Sequence, residues 1–520
     1  MLKSRRFILS SIQDKTPWAD AVADQIISLN KDQDVYTVAA GISPSGVVHF
    51  GNFRDVITAH MVRNSLISKG KKAKMIFSWD NFDRYRKVPV GVPESFAEYI
   101  GKPLSKIPDP FGNLASYAER FQAPFEEAMK KLGIDIEYKN QTEMYESGMY
   151  DEKIKLAMQE RGKIADVLLS FMTEKAMTEK KIDPKVYKEN FYPISIYSRF
   201  SGKDSTKILK YDGDMTVTYY CAESKKEETV NLRETRVAKL NWKVDWPMRW
   251  QYENVNFEPG GSDHASPGGS YDVSSVLAKD LFGIEPPVFV EYMFVGIRGL
   301  GAKMSGSKGN AVSPLDLLDI YDADLLKWLY LRKDPNQTFE LAFDSEIYRQ
   351  YDEYDKEKGI ENVLSFRQTV GLGQIVQWDI DKLISITTEL GQNLDREVIS
   401  RRLPLAKNWL VKYNPSELIE LRGNLNTEYT TTMNDEQKNM IKALKNELES
   451  KKDATVSDLE YLTYHIPKKE GLTDADLKKA QRAFFKDVYN LLITRDAGPR
   501  LGTFLWVANR KQVLDLLNIG

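Results

Sequence analysis

The chain has 520 residues, 42% of them hydrophobic and 28% charged, which is the composition of a globular protein of several domains. With 73 basic and 75 acidic residues, net charge gives no argument for nucleic-acid binding, which would need charge segregated on one surface. The single cysteine excludes an intramolecular disulfide and fits a cytoplasmic location, and no apolar run reaches the roughly 18 residues of a membrane-spanning helix.

Residues 1–35 precede the first clear pattern of secondary structure. They include basic residues and a few apolar ones but no long apolar core, which predicts a helical extension rather than a secretion signal; a disordered tag and a weak organellar signal stay open as alternatives. Residues 36–140 then alternate strand and helix patterns, the βαβ rhythm of the first half of a doubly wound parallel sheet. The predicted elements are strands at 36–42, 74–79 and 134–138 and helices at 53–69 and 117–132.

A motif, GISPSGVVHFGN at 41–52, joins the first predicted strand to the first predicted helix. His49 and Asn52 then lie at a helix N-terminus, where free N–H groups and the helix dipole attract phosphate. Gly46 and Gly51 let the backbone approach a nucleotide, and His49 can donate a hydrogen bond to a phosphate oxygen that gains charge. The alternative is that His49 is a structural histidine of the strand–helix turn.

An insertion is expected to separate the two halves of the sheet. Residues 141–240 combine a polar helical stretch with short alternating strands, which predicts an inserted α+β subdomain. The sheet is expected to resume near Trp242, in a second half at 241–300. The predicted elements of these parts are strands at 207–211, 215–220 and 288–296 and a helix at 271–281.

A second motif, KMSGSKGN at 303–310, opens a loop region at 301–345. Lys303 and Lys308 are point charges that can neutralise a triphosphate as pyrophosphate leaves, and the glycines favour a loop that changes conformation. By itself such a loop is more often a solvated basic surface. Together with the upstream motif it indicates an adenylate-forming site, in which a carboxylate attacks the α-phosphate of ATP.

From about Asp344 the pattern is helical to the end, which predicts an all-α domain at 346–520. Thr473 and Asp476 resemble a capping box that opens a helix at 474–494. Four basic stretches are candidate RNA-contacting patches, although each one alone is more often a solvated face. They are 69–74, 175–181, 401–402 and 478–479.

Over most of its length the chain resembles the class I lysyl-tRNA synthetases found in archaea and some bacteria. HFGN stands at the HIGH signature of class I aminoacyl-tRNA synthetases, and KMSGS at 303–307 stands at their KMSKS signature. The lysine type is indicated by longer matching stretches in the same order. These are WDNFDRYRKVP at 79–89, KVDWPMRW at 243–250, FEPGGSDH at 257–264, EYMFVGIRGLGAKMSGSKGN at 291–310 and AGPRLG at 497–502.

The resemblance implies a Rossmann-type α/β catalytic sheet with an acceptor-end insertion, followed by a helical anticodon-binding domain. It implies ATP-dependent ligation of lysine to tRNA(Lys) through a lysyl-adenylate, with release of AMP and pyrophosphate, in protein synthesis. Mg²⁺ is expected with ATP, and relatives of this type often activate lysine only with tRNA bound. We expect a monomer whose partners are tRNA(Lys) and lysine, with no membrane. Candidate anticodon-stacking aromatics are Phe484, Phe485, Tyr489 and Trp506.

The motifs and the resemblance together assign site residues. Those expected to stabilise the transition state are His49, Asn52, Lys303 and Lys308. The expected ATP-binding residues are Pro44, Ser45, Gly46, His49, Gly51, Asn52, Asp263, Lys303, Met304, Ser305, Gly306 and Ser307. The expected lysine-binding residues are Gly41, Ser43, Asp80, Trp242, His264, Glu291 and Tyr292. Which carboxylate accepts the lysine ε-ammonium stays open, with Asp80 ranked before Glu291.

In one respect the chain departs from the family. Many relatives carry cysteine and histidine zinc ligands in the inserted region, whereas this chain has one cysteine, Cys221, and four histidines. Asn113 and Leu114 stand where relatives have ligands. Because a structural zinc site normally needs about four nitrogen or sulfur ligands, we expect no zinc and no other protein-bound metal, with ordinary packing holding the insertion together.

Three alternatives remain open. A glutamyl-type synthetase would share the fold, but its pocket needs arginine rather than acidic side chains. A small-molecule nucleotidylyltransferase would share the phosphate motifs, but it leaves the long helical region without a purpose. A non-catalytic tRNA-binding paralogue is disfavoured because His49, Asn52 and Lys303 are intact.

Overall fold

The computed structural model describes residues 5–7, 17–31, 33–179, 181–299, 311–389 and 391–519. The chain divides into two compact units, which we call the sheet unit and the helical unit. The sheet unit comprises the described residues up to Ile297 together with 311–318 and Leu326–Leu341. The helical unit comprises 298–299, Asp319–Leu325 and the described residues from Ala342 onward.

The strands, in chain order, are β1 (Tyr36–Ile42), β2 (Ala73–Trp79), β3 (Glu137–Asn140), β4 (Ile194–Ile196), β5 (Thr206–Tyr211), β6 (Thr216–Cys221), β7 (Lys226–Asn231), β8 (Ala238–Leu240), β9 (Val255–Gly261), β10 (Val288–Tyr292), β11 (Val295–Arg298) and β12 (Phe339–Ala342). A five-stranded parallel sheet has the order β10-β9-β1-β2-β3. The order reverses between β1 and β9, which confirms the doubly wound α/β sheet predicted from the sequence.

The helices up to the end of the sheet's second half are α1 (Trp18–Leu29), α2 (Phe50–Ser68), α3 (Tyr117–Lys131), α4 (Gln141–Glu146), α5 (Asp151–Gln159), α6 (Arg161–Ser170), α7 (Glu174–Glu179), α8 (Pro184–Asn190), α9 (Leu232–Thr235), α10 (Trp242–Tyr252), α11 (Ser262–Ala265) and α12 (Ser270–Asp280). Two short 3₁₀ helices lie at Glu94–Tyr99 and Leu104–Lys106. In the described ranges, no helix combines the length and the apolar character needed to cross a membrane.

The later helices are α13 (Pro314–Leu317), α14 (Ala323–Leu331), α15 (Glu346–Lys358), α16 (Phe366–Ile375), α17 (Ile380–Glu389), α18 (Arg396–Tyr413), α19 (Thr427–Thr432), α20 (Asp435–Ser450), α21 (Val456–His465), α22 (Asp474–Ile493), α23 (Leu501–Val507) and α24 (Arg510–Leu516), with a 3₁₀ helix at Pro415–Glu417. No strand follows Ala342 in the part of the chain that the structure describes, so the predicted all-α region is confirmed.

The sheet forms where the sequence is apolar on both faces of a strand. In β1 the residues from Tyr36 to Ala40 are all buried, and β10 begins with three buried residues. Parallel strands covered on both faces read as continuous apolar runs rather than as alternation. Helix α2 packs against this sheet with a fully buried apolar stripe, of which Val56, Val62 and Leu66 are 0% exposed.

The insertion between β3 and β9 is α+β, as the sequence predicted. Strands β4 and β8 form an antiparallel pair, and β5, β6 and β7 form an antiparallel three-stranded sheet. Its apolar side chains share one core with those of α5 and α6, and Cys221 is buried in it.

Three expected elements differ from the structure. The strand expected at 134–138 lies at Glu137–Asn140, because Ile134 instead closes the end of α3, where its N–H binds Met129 O at 3.0 Å. Trp242 opens a helix, not a strand. The residues Val244–Trp250 are all buried. Because this helix is buried on every side, its sequence lacks the alternation of apolar and polar residues that identifies a helix with one exposed face.

The strand expected at 288–296 is broken into β10 and β11. The break comes at Met293, whose N–H donates to Pro335 O at 2.8 Å instead of continuing the ladder with β9. Phe294, the next residue, is 72% exposed. An apolar run alone does not reveal where a strand changes its hydrogen-bonding partner.

In the helical unit, Thr473 caps α22 and its side chain accepts a hydrogen bond from the Asp476 N–H at 3.2 Å, so the predicted helix start is confirmed. Arg402 does not belong to a basic surface patch. It is buried, and its guanidinium pairs with both oxygens of Asp355 at 2.6 and 2.7 Å. Of the candidate stacking aromatics, Phe484 and Tyr489 are buried in the core.

Candidate active site

The candidate site lies where the order of the parallel sheet reverses. Open parallel sheets bind ligands at the carboxyl ends of their strands, at such a reversal. Strand β1 ends at Ile42 and leads through a short loop into α2, whereas β9 ends at Gly261 and leads directly into α11. The GISPSGVVHFGN and FEPGGSDH segments therefore meet at one edge of the sheet.

His49 is the N-cap of α2. Its Nδ1 accepts a hydrogen bond from the Gly51 N–H at 3.1 Å, and the Asn52 side-chain oxygen accepts one from the His49 N–H at 3.1 Å. Burial lowers the pKa of His49, which favours the neutral imidazole. Because Nδ1 accepts, the ring proton is on Nε2, which remains a donor. The structural and the phosphate-binding interpretations of His49 are therefore compatible.

Two glycines of this segment are required by close contacts. A Cβ on Gly51 would lie 2.9 Å from the His49 ring, so any larger residue there would displace the cap. A Cβ on Gly41 would lie 2.9 Å from Ser78 O on the neighbouring strand. Both positions thus allow approaches that a side chain would block.

Asp55 joins the ends of two strands and was not predicted. Its Oδ2 accepts a hydrogen bond from the Gly41 N–H at 3.3 Å, and the Tyr292 hydroxyl lies beside the same carboxyl group. Burial raises the pKa of Asp55 well above its usual range, and the nearby Glu258 raises it further. Gly41 and Tyr292, two predicted lysine-site residues, are thus held by one acidic group. In the sequence, Asp55 could have been noticed because it is a carboxylate on the apolar face of the predicted helix.

Three aromatic rings form one wall of the site. Trp242 and Trp246 stack with their centroids 5.0 Å apart, and the His264 ring lies 6.1 Å from the first and 5.6 Å from the second. Both indole Nε1 atoms are buried; the Trp246 indole lies beside the Glu258 carboxyl group, and the Trp242 Nε1 has no hydrogen-bond partner among the described residues. Buried indole N–H groups usually have a partner, so Trp242 is suited to a ligand that offers it an acceptor.

Five charged side chains form a cluster next to this wall; four are buried and Asp83 is partly exposed. Arg249 pairs with Asp80 at 2.7 Å and with Asp245 at 2.6 Å, and its guanidinium lies over the Trp242 ring. Lys239 pairs with Asp83 at 3.0 Å and with Asp245 at 3.3 Å. With all five groups ionised, three carboxylates face two cations, which leaves one negative charge that no member compensates.

Two acids at the site have raised pKa values. Burial is the main cause of the raised pKa of Asp80, which Arg249 partly offsets. Burial also raises the pKa of Glu258 to about 7, although Trp250 Nε1 donates a hydrogen bond to it at 2.6 Å. An added cation would favour the charged form of both acids. Glu258 and Arg249 were not predicted as site residues. Both lie inside longer stretches that match the family, and nothing in those stretches distinguishes them from their neighbours.

The other predicted residues are placed as follows. Glu291 is exposed near the end of β10, Asp263 is exposed with a carboxylate oxygen 3.6 Å from His264 Nε2, and Ser45 O accepts a hydrogen bond from the Tyr117 hydroxyl at 2.9 Å. Pro44 is buried, and Ser43 and Gly46 are partly buried. The predicted residues that lie outside the described ranges are Lys303, Met304, Ser305, Gly306, Ser307 and Lys308.

One carboxylate organises the loop in which relatives carry metal ligands. Asp109 accepts hydrogen bonds from the N–H groups of Phe111, Asn113 and Leu114 at 2.9–3.1 Å, and Arg120 pairs with both of its oxygens at 2.9 and 2.6 Å. Within the described ranges, no group of three or more His, Cys, Asp or Glu side chains is placed to hold a metal ion. The expectation about zinc stays a prediction.

Comparison with known proteins places the chain among relatives of matching length. A family model described as tRNA synthetases class I (K) matches residues 16–368. A lysine–tRNA ligase of Pyrococcus horikoshii is 33% identical, with 96% of this chain and 99% of the relative covered. A lysine–tRNA ligase of Streptomyces coelicolor is 34% identical over 98% of this chain and 99% of the relative. One of Borreliella burgdorferi is 31% identical over 94% and 96%.

Proposed function

The chain belongs to the lysine-type class I tRNA synthetases, and from this premise we propose that it ligates L-lysine to tRNA(Lys) for translation, using ATP and a lysyl-adenylate intermediate. The lysine carboxylate attacks the α-phosphate and pyrophosphate leaves. The tRNA terminus then takes the lysyl group and AMP leaves. The observation that carries the choice of lysine is the uncompensated negative charge of the buried cluster.

The cluster supports lysine because it lacks one cation. Asp80 and Glu258 have raised pKa values since burial disfavours their charged forms. The ε-ammonium of lysine supplies the missing charge, and the aromatic wall of Trp242, Trp246 and His264 suits the methylenes between the ammonium and the carboxylate. We keep Asp80 as the first acceptor and place Glu258 second, before the exposed Glu291.

The same cluster weighs against glutamate as the substrate. A glutamate side chain needs a cation that is free to bind its carboxylate. Arg249 is already paired with Asp80 and Asp245, and Lys239 with Asp83 and Asp245. A further carboxylate beside these groups would increase an existing negative excess, and its desolvation would have no compensation.

At the phosphate end, we assign His49 and Asn52 to bind ATP phosphates. The His49 cap leaves Nε2–H as a donor, and the accepting oxygen of Asn52 leaves its NH₂ group as a donor. Lys303 and Lys308 are assigned to the leaving pyrophosphate. Mg²⁺ would enter with ATP as part of the substrate and would neutralise phosphate charge.

The chain is further proposed to act as a monomer in the cytoplasm and to activate lysine only with tRNA bound. The single, buried cysteine supports a reducing compartment. Light scattering at micromolar concentration tests the monomer, and an equilibrium dimer would contradict it.

ATP–pyrophosphate exchange with each amino acid, with and without total tRNA, tests the function. Lysine-dependent exchange that requires tRNA is the expected result. Exchange with glutamate alone would overturn the substrate, and exchange with no amino acid would point to a nucleotidylyltransferase. The control is Lys452→Ala, a substitution of an exposed lysine of the helical unit, which should leave the exchange unchanged.

A further inference from the structure

Residues 5–7, near the start of the chain, pair with the edge of the five-stranded sheet. The Phe7 N–H donates to Phe289 O at 2.9 Å, and the Phe289 N–H donates to Arg5 O at 3.2 Å, in the parallel sense. Phe289 lies in β10, the last strand on this side of the sheet. An edge strand leaves N–H and C=O groups available for a further strand, and residues 5–7 use them.

This pairing places the Arg6 guanidinium against the turn that follows β9 and α11. Its Nη1 donates to Ala265 O at 2.5 Å, and its Nη2 lies 2.7 Å from the Asp272 carboxylate. Asp272 also accepts a hydrogen bond from the Gly268 N–H at 2.9 Å. The guanidinium therefore holds both ends of the segment 265–272, which joins α11 to α12.

Two stacked aromatic rings lie beside this guanidinium. The centroids of the Tyr271 and Phe289 rings are 4.2 Å apart, and the guanidinium carbon of Arg6 lies 5.6 and 6.0 Å from them. The Phe289 ring also packs on β9, where a Cβ on Gly260 would lie 2.6 Å from it. The Arg6 side chain is only 26% exposed, so its ion pair and ring contacts form in a partly desolvated place, where they are stronger than at an open surface.

Helix α11 depends on outside contacts of this kind because it is short. It has four residues, and a single turn is not stable by its own hydrogen bonds. Ala265 O is one of the carbonyls that a helix end leaves without a partner in the helix, and Arg6 supplies the donor. The preceding residue is His264, whose ring packs in the aromatic wall of the site. A displacement of α11 would therefore move His264.

We propose that Arg6 is a positioning residue that keeps His264 in place in the proposed lysine site. Arg6 does not touch the substrate; it favours one position of α11 over the others that a loose turn would adopt. If only a fraction of the molecules has the binding-competent position, the apparent affinity falls by that fraction, whereas saturating substrate restores the position. This inference rests on the proposed function, because it names what holds one residue of that function's substrate site.

The test compares Arg6→Met with Arg5→Met in ATP–pyrophosphate exchange with tRNA present. The control is matched, because Arg5 also donates to one backbone carbonyl, Pro286 O at 3.1 Å, and also has one acidic partner, Glu285 at 3.6 Å. Both of these partners lie between α12 and β10, outside the segment 265–272. Arg6→Met should raise the KM for lysine about tenfold and change kcat less than about twofold. Arg5→Met should leave both quantities nearly unchanged.

The possible outcomes separate the inference from the function. An equal rise in the lysine KM for both variants, or no rise for Arg6→Met, would overturn the inference while lysine-dependent exchange leaves the proposed function in place. A loss of kcat at an unchanged KM would also overturn it, because this result indicates general damage rather than a displaced binding group. Absence of lysine-dependent exchange by the wild type would instead overturn the function.

Should Arg6→Met fail to fold, Phe7→Pro provides a second measurement, because proline lacks the N–H that pairs with Phe289 O. Phe7→Ala keeps this N–H and is the matched control. Amide hydrogen exchange read by mass spectrometry should be faster in the segment 262–272 for Phe7→Pro than for Phe7→Ala, and the lysine KM should rise only for Phe7→Pro. Equal exchange and equal KM values in the two variants would contradict the assignment.

Discussion

The Arg249 guanidinium lies 2.7 Å from the Asp80 carboxylate, and the contact ties α10 to the residue that follows β2. Its second nitrogen lies 2.6 Å from Asp245, which is 0% exposed. One cation therefore serves two buried acids. Because Arg249 is shared, Asp80 and Asp245 together have fewer cations than carboxylates around them, although the nearby guanidinium still favours their ionised forms.

Arg249→Met should lower the free energy of unfolding by about 3–5 kcal/mol, because it leaves Asp80 and Asp245 buried without this cation. Urea denaturation measures the change. The control is Arg349→Met, which removes a 66% exposed guanidinium paired with Glu346 and should cost less than about 1 kcal/mol. A similar small cost for both variants would show that the cluster does not depend on Arg249.

His49→Ala should slow lysine-dependent ATP–pyrophosphate exchange by about 10²–10³-fold in kcat, because a donor to the charged transition state is lost. The KM for lysine should change little. His465→Ala, an imidazole substitution in the helical unit, is the control. Equal losses in kcat and in lysine affinity for His49→Ala would indicate a role limited to capping the helix.

Lys303→Ala should slow activation far more than it weakens lysine binding, since contact with the departing pyrophosphate tightens in the transition state. Pre-steady-state adenylate formation gives the rate, and equilibrium dialysis gives lysine affinity. Equal losses in both quantities would reject this role for Lys303.

Glu258→Gln should raise the KM for lysine about tenfold while leaving the KM for ATP nearly unchanged. The pKa of Glu258 is raised to about 7, so the carboxylate gains charge as pH rises through that value. Since an ionised acid attracts an ammonium ion, wild-type lysine affinity should increase between about pH 6 and pH 8. The variant should lose that part of the pH dependence. An unchanged profile would assign the titration to another acid, such as Asp80.

Asp109→Ala should lower the free energy of unfolding by about 2 kcal/mol, because three N–H groups and Arg120 lose their acceptor. Arg120 and these N–H groups hold the pKa of Asp109 well below its usual range. A depressed pKa contributes stability above the unfolded value near 3.8, and this contribution is lost as pH falls below it. Wild type should therefore lose more stability on acidification than the variant. Removal of metal by EDTA should leave the melting temperature of both unchanged.

Several features could be predicted from the sequence because they depend on neighbouring residues. The apolar run of β1, the helix that follows it, and the glycines between them are set by local spacing, which placed His49 at a helix N-terminus. Thr473 likewise predicted the start of α22, because a capping residue acts on the residues next to it. Wherever burial affects one face of an element only, the period of the sequence reveals the element.

What the sequence determined by itself is the reaction class and the order of the parts, because phosphate binding uses short contiguous motifs at strand ends. The charge of the proposed lysine pocket was decided only by the tertiary structure. Asp80 lies far along the chain from Lys239, Arg249 and Glu258, and the pKa values of the two acids depend on burial and on which cation each of them meets. Burial and ion pairing are established only when the sheet and its insertion have folded together. The dielectric environment of a side chain depends on the atoms packed around it and not on the spacing of residues in the sequence.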